Sequence, residues 1–197
     1  MSKHERSRFV EQLLKDELEA VALGLEQGVY AWEEIDLPHD SQGSTPLITA
    51  CRTGLTRVMH FLLKRGADAT LCNNSNQTAL HVSQPALQGE LLTAMIGDVP
   101  HQKQLSLAAW RGDLCCLQDL MVRTKQARLH REFSDGSVLA TCHMRAQADL
   151  LELNKQNRDG LTPLMLAVRD VDLFEGLETP WEYQPVEVVK ELVCFPV

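Results

Sequence analysis

The sequence lacks the features that would place the protein in a membrane, in the secretory pathway or on nucleic acid. It has no apolar run near the roughly 20 residues that a membrane-spanning helix needs. Its first residues, MSKHERSRFVEQ, carry charges where a secretory signal would carry an apolar segment. It also lacks a basic surplus, because the net charge is −8 and the pI is about 5.3. We therefore expect a soluble chain whose main partner is not nucleic acid or a membrane.

The cysteines lack the CxxC spacing that marks many zinc sites. There are six of them: Cys51, Cys72, Cys115, Cys116, Cys142 and Cys194. Free thiols in a reducing compartment fit this scatter better than disulfides or a bound metal. The prediction is a cytoplasmic or nuclear protein without a metal or another cofactor.

Catalytic motifs are missing as well. The sequence has no GxSxG, no HExxH, no phosphate loop ending in Gly-Lys-Ser/Thr and no glycine-rich nucleotide fingerprint. The seven histidines are scattered, and four of them, His39, His81, His101 and His143, have no carboxylate or thiol partner at motif spacing. We predict that the chain is not an enzyme and takes no small-molecule substrate.

One short pattern recurs along the chain. Thr45-Pro46-Leu47 returns 33 residues later as Thr78-Ala79-Leu80, and again as Thr162-Pro163-Leu164. Thr can cap a helix, Pro suits the first helical position, and Leu enters the core. Behind the first copy, Gly54 is expected to end one helix and Gly66 a second, aliphatic one.

From residue 43 to residue 73 this order of signals resembles an ankyrin repeat, a unit of about 33 residues with a turn and two antiparallel helices. His81 stands where that family carries a structural His. The resemblance implies an all-α solenoid of about five or six repeats, some degenerate or shortened. The expected single ankyrin-repeat domain covers 1–197, with an N-terminal capping repeat at 5–42, a repeat at 43–75, a short repeat at 76–100, a repeat at 101–134, a degenerate repeat at 135–159 and a final repeat at 160–197.

The final repeat departs from the family pattern. Residues 171–184 separate its two helices, where a tight turn is usual, so about 13 residues are inserted. No polar capping repeat follows, although the outer face of a terminal repeat needs to be polar. We expect either that the chain is a fragment or short form of a larger protein, or that the insert folds over the exposed end.

The resemblance implies partner binding along a concave face, through positions late in each first helix. The predicted partner-binding residues are Lys15, Arg52, Trp110, Arg111, Met144, Arg145 and Arg169. Such a basic face predicts an acidic protein or peptide with an apolar anchor, for which a partly exposed Trp110 would be the hot spot. The same positions also fit a simpler interpretation, since Arg is a good helix former.

Three functional hypotheses stay open at this point. The first is a non-catalytic adaptor or scaffold that binds a partner protein. The second is a substrate-recruiting or autoregulatory segment of a multidomain enzyme whose catalytic domain lies outside this chain. The third is intramolecular, with the insert at 171–184 occupying the groove. All three share one core prediction, namely that Ala50, Cys51, Leu62 and Leu63 are buried.

Overall fold

A computed structural model describes residues 3–30, 35–97, 101–122 and 153–194, with side chains from residue 8 of the first helix and from residue 104 of the helix that begins at 101. The chain divides into two compact units, Met1–Lys103 and Gln104–Val197. Across these described residues the regular elements are all helices. The predicted all-α class is therefore confirmed, whereas the description of 1–197 as a single domain stays a prediction.

The helices of the first unit follow one another in pairs. They are α1 (Lys3–Leu14), α2 (Leu18–Glu26), α3 (Pro46–Thr53), α4 (Thr56–Lys64), α5 (Ala79–Val82) and α6 (Pro85–Gly97). Helix α3 packs on α4 and α5, and α4 packs on α6. Each pair thus buries its apolar face against the next pair, which is how repeat arrays build a continuous core.

Helix α3 begins and ends at the residues that the sequence indicates. The Thr45 hydroxyl accepts a 3.3 Å hydrogen bond from the backbone N–H of Ile48, and Pro46 occupies the first helical position. Gly54 closes the helix in the left-handed region, at φ +76°. Thr45, Pro46 and Gly54 therefore begin and end this helix as predicted.

Helix α5 is only four residues long, which explains the short spacing of the predicted repeat at 76–100. His81 Nδ1 lies 2.8 Å from the Thr78 hydroxyl and accepts a 3.2 Å hydrogen bond from the Thr78 backbone N–H. Ser83 is already extended, and Pro85 begins the next helix. Because the residue before a proline avoids the helical region, α5 ends after one turn.

The core of the first unit contains the residues expected there. Ala50, Cys51, Leu62 and Leu63 are each 0% exposed. Small side chains at the first two positions let α3 lie close to its neighbours, and the two leucines fill the space behind it. The core prediction is confirmed.

The second unit has five helical segments among its described residues. They are α7 (His101–Trp110), α8 (114–122), α9 (Pro163–Arg169), α10 (Val171–Glu175) and α11 (Pro185–Cys194). Helix α9 packs on α11, and the buried residues that join α7, α8, α9 and α11 include Ala108, Leu117, Ala167 and Val188. The insert predicted at 171–184 comprises α10 and an irregular segment before α11.

The same turn occurs in both units, a similarity that the sequence analysis missed. The side-chain oxygen of Asn73 accepts backbone hydrogen bonds from Ser75 at 2.9 Å and Gln77 at 3.0 Å. The side-chain oxygen of Asn157 likewise accepts them from Asp159 at 3.0 Å and Leu161 at 2.9 Å. Each turn leads into a Thr that precedes a helix, so residues 157–162 repeat the hairpin geometry of 73–78.

Candidate protein-interaction surfaces

Lys15 lies just after α1 and is exposed. Its ammonium forms a 2.8 Å ion pair with Glu11, and the two side chains are 59% and 61% exposed. This hydrogen bond lowers the pKa of Glu11 and raises that of Lys15. An exposed pair of this kind contributes little to stability, and a role of Lys15 in partner binding stays a prediction.

Arg52 lies in the last turn of α3 and is held in place by neutral partners. Nη1 donates a 2.6 Å hydrogen bond to the Gln42 side chain, and Nη2 donates one of 2.5 Å to the Ser44 hydroxyl. Nε is buried without a hydrogen-bond partner. Among the residues that the structure describes, no carboxylate lies within ion-pair distance of this guanidinium, so its charge is fixed in position without being neutralised.

Two neighbouring hairpins form a polar rim beside Arg52. Asn74 donates from its backbone to the carbonyl oxygen of Gln42 at 2.9 Å, and from its side chain to that of Ser41 at 3.2 Å. These three side chains are exposed. The hairpins are thus tied together by their backbones, which leaves amide and hydroxyl groups facing solvent.

Trp110 is buried, and the expectation that it is partly exposed was wrong. Its side chain is 1% exposed, and its indole N–H donates a 2.6 Å hydrogen bond to the Asp170 carboxylate. Its ring meets the Phe174 ring edge to face, with the centroids 5.1 Å apart. Phe174 belongs to the insert, so a segment more than sixty residues further along the chain covers the expected hot spot.

Arg111 is also buried, at 2% exposure, and does not face solvent as the alignment of helices implied. Its Nε and Nη2 donate to Asp113 Oδ2 at 3.2 and 3.0 Å. The other carboxylate oxygen, Oδ1, accepts a 2.9 Å hydrogen bond from the backbone N–H of Cys116 near the start of α8. This ion pair therefore fixes the turn between α7 and α8 in addition to balancing a buried charge.

Arg169 completes the group around Trp110. Its Nε donates a 2.8 Å hydrogen bond to Asp170, and its guanidinium lies 5.7 Å from the centroid of the Trp110 ring. Both Nη atoms are buried without a hydrogen-bond partner. The structure thus brings Trp110 and Arg169 together as predicted, but in an internal cluster. The other two predicted binding residues, Met144 and Arg145, lie outside the described residues.

The irregular segment at 177–184, which we call the strap, lies on the α7–α8 turn. The Trp181 indole N–H donates a 2.9 Å hydrogen bond to the carbonyl oxygen of Arg111, and its ring centroid is 5.1 Å from the Arg111 guanidinium. The backbone N–H of Gln184 donates to the carbonyl oxygen of Gly112 at 2.8 Å. Next to it, Tyr183 forms the single β-type bridge of the described chain with Asp113.

Tyr183 fits against the turn because residue 112 is a glycine. A Cβ atom at Gly112 would lie 2.5 Å from the Tyr183 ring, and the backbone there has φ +63°. The ring also stacks on Phe174, with centroids 5.7 Å apart. Burial, followed by the nearby Glu175, raises the pKa of Tyr183, so its hydroxyl stays protonated at neutral pH.

The described residues offer no grouping suited to a metal ion. No three His, Cys, Asp or Glu side chains among them are arranged to hold a metal ion. Burial raises the pKa of Cys51 to about 12, which makes this thiol a poor nucleophile. Within the same residues, every helix is too short or too polar to cross a membrane.

Residues 35–83 match a family model described as ankyrin repeats (many copies). Residues 35–83 thus match ankyrin repeats, and the resemblance seen in the sequence is confirmed over this part of the chain. The matched region includes α3, α4 and α5 together with the two hairpins beside Arg52. Repeats of this family generally mediate protein–protein interaction and are typically non-catalytic.

Proposed function

We propose that this chain is a non-catalytic protein-interaction module that binds an acidic segment of a partner protein beside α3. The observation that carries the proposal is the position of Arg52. Two neutral acceptors, Gln42 and Ser44, orient its guanidinium without neutralising it. A carboxylate of a partner would supply the missing negative charge.

The geometry of Arg52 suits a carboxylate. A guanidinium has five N–H donors in a planar fork, and only two of them are used in the contacts to Gln42 and Ser44. Charge-assisted bonds from such a fork are about twice as strong as neutral hydrogen bonds. The exposed amide and hydroxyl groups of the two hairpins would add hydrogen bonds to the backbone of the partner.

The proposal places the protein in the cytoplasm or nucleus, as an adaptor or scaffold. The five cysteines that the structure describes are free thiols, which supports a reducing compartment. Lys15, the other predicted binding residue of the first unit, is exposed and paired with Glu11.

The test compares two charge reversals of equal size. A partner is first captured from cell extract with the wild-type chain and identified, and its affinity is then measured for Arg52→Glu and Lys64→Glu. Lys64 is exposed at the end of α4, the second helix of the same pair. We expect Arg52→Glu to weaken binding by about tenfold or more, the loss typical of a charged interface contact, and Lys64→Glu to change it little. Equal affinities for the two variants would contradict the proposal.

A further inference from the structure

The strap at 177–184 contacts the α7–α8 turn in the way that a bound peptide contacts a domain. Its backbone forms one β-type bridge and the Gln184-to-Gly112 hydrogen bond. Its side chains supply two aromatic groups, Trp181 and Tyr183, that lie on the turn. Backbone pairing combined with side-chain anchors at alternate positions is a recurring mode of peptide recognition.

Trp181 makes two different contacts with Arg111. The indole ring lies over the guanidinium of Arg111, at a distance where a cation attracts an aromatic face. The indole N–H also reaches the carbonyl oxygen of the same residue. A segment without an aromatic N–H at this position would leave that carbonyl without this donor.

The strap carries acidic side chains in addition to its two aromatic anchors. Glu178 and Glu182 are exposed, and the sequence from 171 to 184 contains four carboxylates and no Lys or Arg. Beneath the strap, the guanidinium of Arg111 faces the Trp181 ring and is paired with Asp113. The covered surface thus holds a segment with the chemistry that the sequence analysis predicted for an external partner, namely acidic with apolar anchors.

We infer that the strap is an internal ligand, and that the surface it covers at residues 111–113 also binds a partner. The partner is an extended acidic segment with two aromatic residues in Trp-x-Tyr spacing, which binds when it displaces the strap. This inference rests on the proposed function, because both treat the repeats as a binder of protein segments. The site differs, since the strap lies in the second unit and Arg52 in the first.

Tethering explains why the strap would oppose the partner. A segment joined to its own binding site acts at an effective concentration in the millimolar range. A free peptide of the same sequence must therefore bind the intact chain much more weakly than a chain whose strap has lost its anchors. This difference in affinity is the measurable consequence of the inference.

The experiment uses a fluorescein-labelled peptide with the sequence of 177–184, LETPWEYQ. Its binding to the full-length chain is followed by fluorescence anisotropy. The strap variant is Trp181→Ser/Tyr183→Ser, and the milder variant is Trp181→Leu, which keeps an apolar side chain at a half-buried position. We expect the strap variant to bind the peptide at least about tenfold more tightly than the wild type, because the tethered competitor is gone. The milder variant should lie between the two.

Two matched controls separate recognition from adhesion to an unfolded chain. A peptide with both aromatic residues replaced by Ala should not bind the strap variant, and a peptide with both Glu replaced by Gln should bind it more weakly. Circular dichroism verifies that each variant is folded. If the double variant does not fold, the comparison of Trp181→Leu with the wild type decides the question.

The inference is overturned if no folded variant binds the peptide more tightly than the wild type, or if the aromatic residues of the peptide make no difference. Adding Arg52→Glu to the strap variant separates the two proposals. It should leave binding of this peptide unchanged, whereas it should weaken binding of the partner proposed for the first unit. Failure of the strap experiment would thus leave the result for Arg52 standing.

Discussion

The guanidinium of Arg111 lies 5.1 Å from the ring centroid of Trp181, and the Trp181 indole donates a 2.9 Å hydrogen bond back to the carbonyl oxygen of Arg111. One residue of the α7–α8 turn therefore contacts Trp181 through both its charged end and its backbone. The arrangement is local to the second unit and involves a segment that ordinary ankyrin spacing does not contain. This contact is one reason why Arg111 is buried where the sequence analysis expected an exposed side chain.

Replacement of Leu62 tests the core of the first unit. Leu62 is 0% exposed within α4, so Leu62→Ala removes buried methyl groups and leaves a cavity. We expect the free energy of unfolding to fall by about 2–5 kcal/mol, measured by urea denaturation. Leu23→Ala is the control, because Leu23 is 53% exposed in α2. A cost for Leu62→Ala below about 0.5 kcal/mol, the usual limit for surface substitutions, would contradict its assignment to the core.

Replacement of Trp110 tests the corrected position of this residue. Because Trp110 is 1% exposed and packs on Phe174, Trp110→Ala should destabilise the fold by about 3–5 kcal/mol. Trp181→Ala is the matched control, since the Trp181 ring is only half-buried, and it should cost less. Thermal and urea unfolding measure both. Equal stability of the Trp110→Ala variant and the wild type would restore the original prediction of an exposed anchor.

The fold was predictable where its signals are local. Thr45, Pro46 and Gly54 act through hydrogen bonds and backbone angles within one helix, and each behaves as the sequence indicates. The short length of α5 also has a local cause, namely Pro85. The spacing of the repeat motifs had indicated only that the repeat at 76–100 is short. The positions of these helices and the burial of the first unit's core residues could therefore be predicted from signals that lie close together in the sequence.

The candidate site was harder to predict, because its contacts join distant parts of the chain. Alignment of the helices placed Trp110 and Arg111 on an open face, but it took no account of an insert that folds back onto them. Whether a residue is exposed depends on everything that packs against it, and Phe174 and Trp181 come sixty to seventy residues later. The charge of Arg111 was visible in the sequence, and Asp113 two residues away was the one signal of an internal ion pair.

The pH dependence of stability should reveal the environment of His39. Burial lowers the pKa of this imidazole, whose Nε2 lies 3.1 Å from the Thr49 hydroxyl and whose Nδ1 has no partner. The unfolded chain takes up a proton near its ordinary pKa of about 6.5, whereas the folded chain takes it up only at lower pH. The unfolded state thus binds more protons in that interval, and the free energy of unfolding falls as the pH falls.

His39→Gln isolates this contribution. Urea denaturation at a series of pH values between about 7 and 5 should show a smaller loss of stability for the variant than for the wild type, because glutamine does not titrate. All other groups are the same in both proteins, so the difference between the two curves reports on His39. Parallel curves would show that His39 has the same proton affinity in the folded and unfolded chains.

Substitution of two glycines with the same backbone conformation tests whether the Tyr183 ring of the strap lies on Gly112. Gly112 and Gly54 have φ values of +63° and +76°, so Ala at either position incurs the left-handed backbone cost of about 1–2 kcal/mol. Only at Gly112 would the new Cβ also meet a neighbour, lying 2.5 Å from the Tyr183 ring, whereas nothing lies within 4 Å at Gly54. Gly112→Ala should therefore destabilise the protein more than Gly54→Ala does.

Adding Tyr183→Ala to Gly112→Ala separates the clash from the backbone cost. If the ring lies on Gly112 as described, the loss in the double variant should be smaller than the sum of the two single losses, because the clash occurs only when both side chains are present. The coupling is measured from the unfolding free energies of the wild type, both single variants and the double variant. Strict additivity, together with equal losses for Ala at the two glycines, would mean that Tyr183 does not contact the α7–α8 turn. Without that contact the strap would have lost one of its two aromatic anchors, and a partner segment would not need the tyrosine of its Trp-x-Tyr pair.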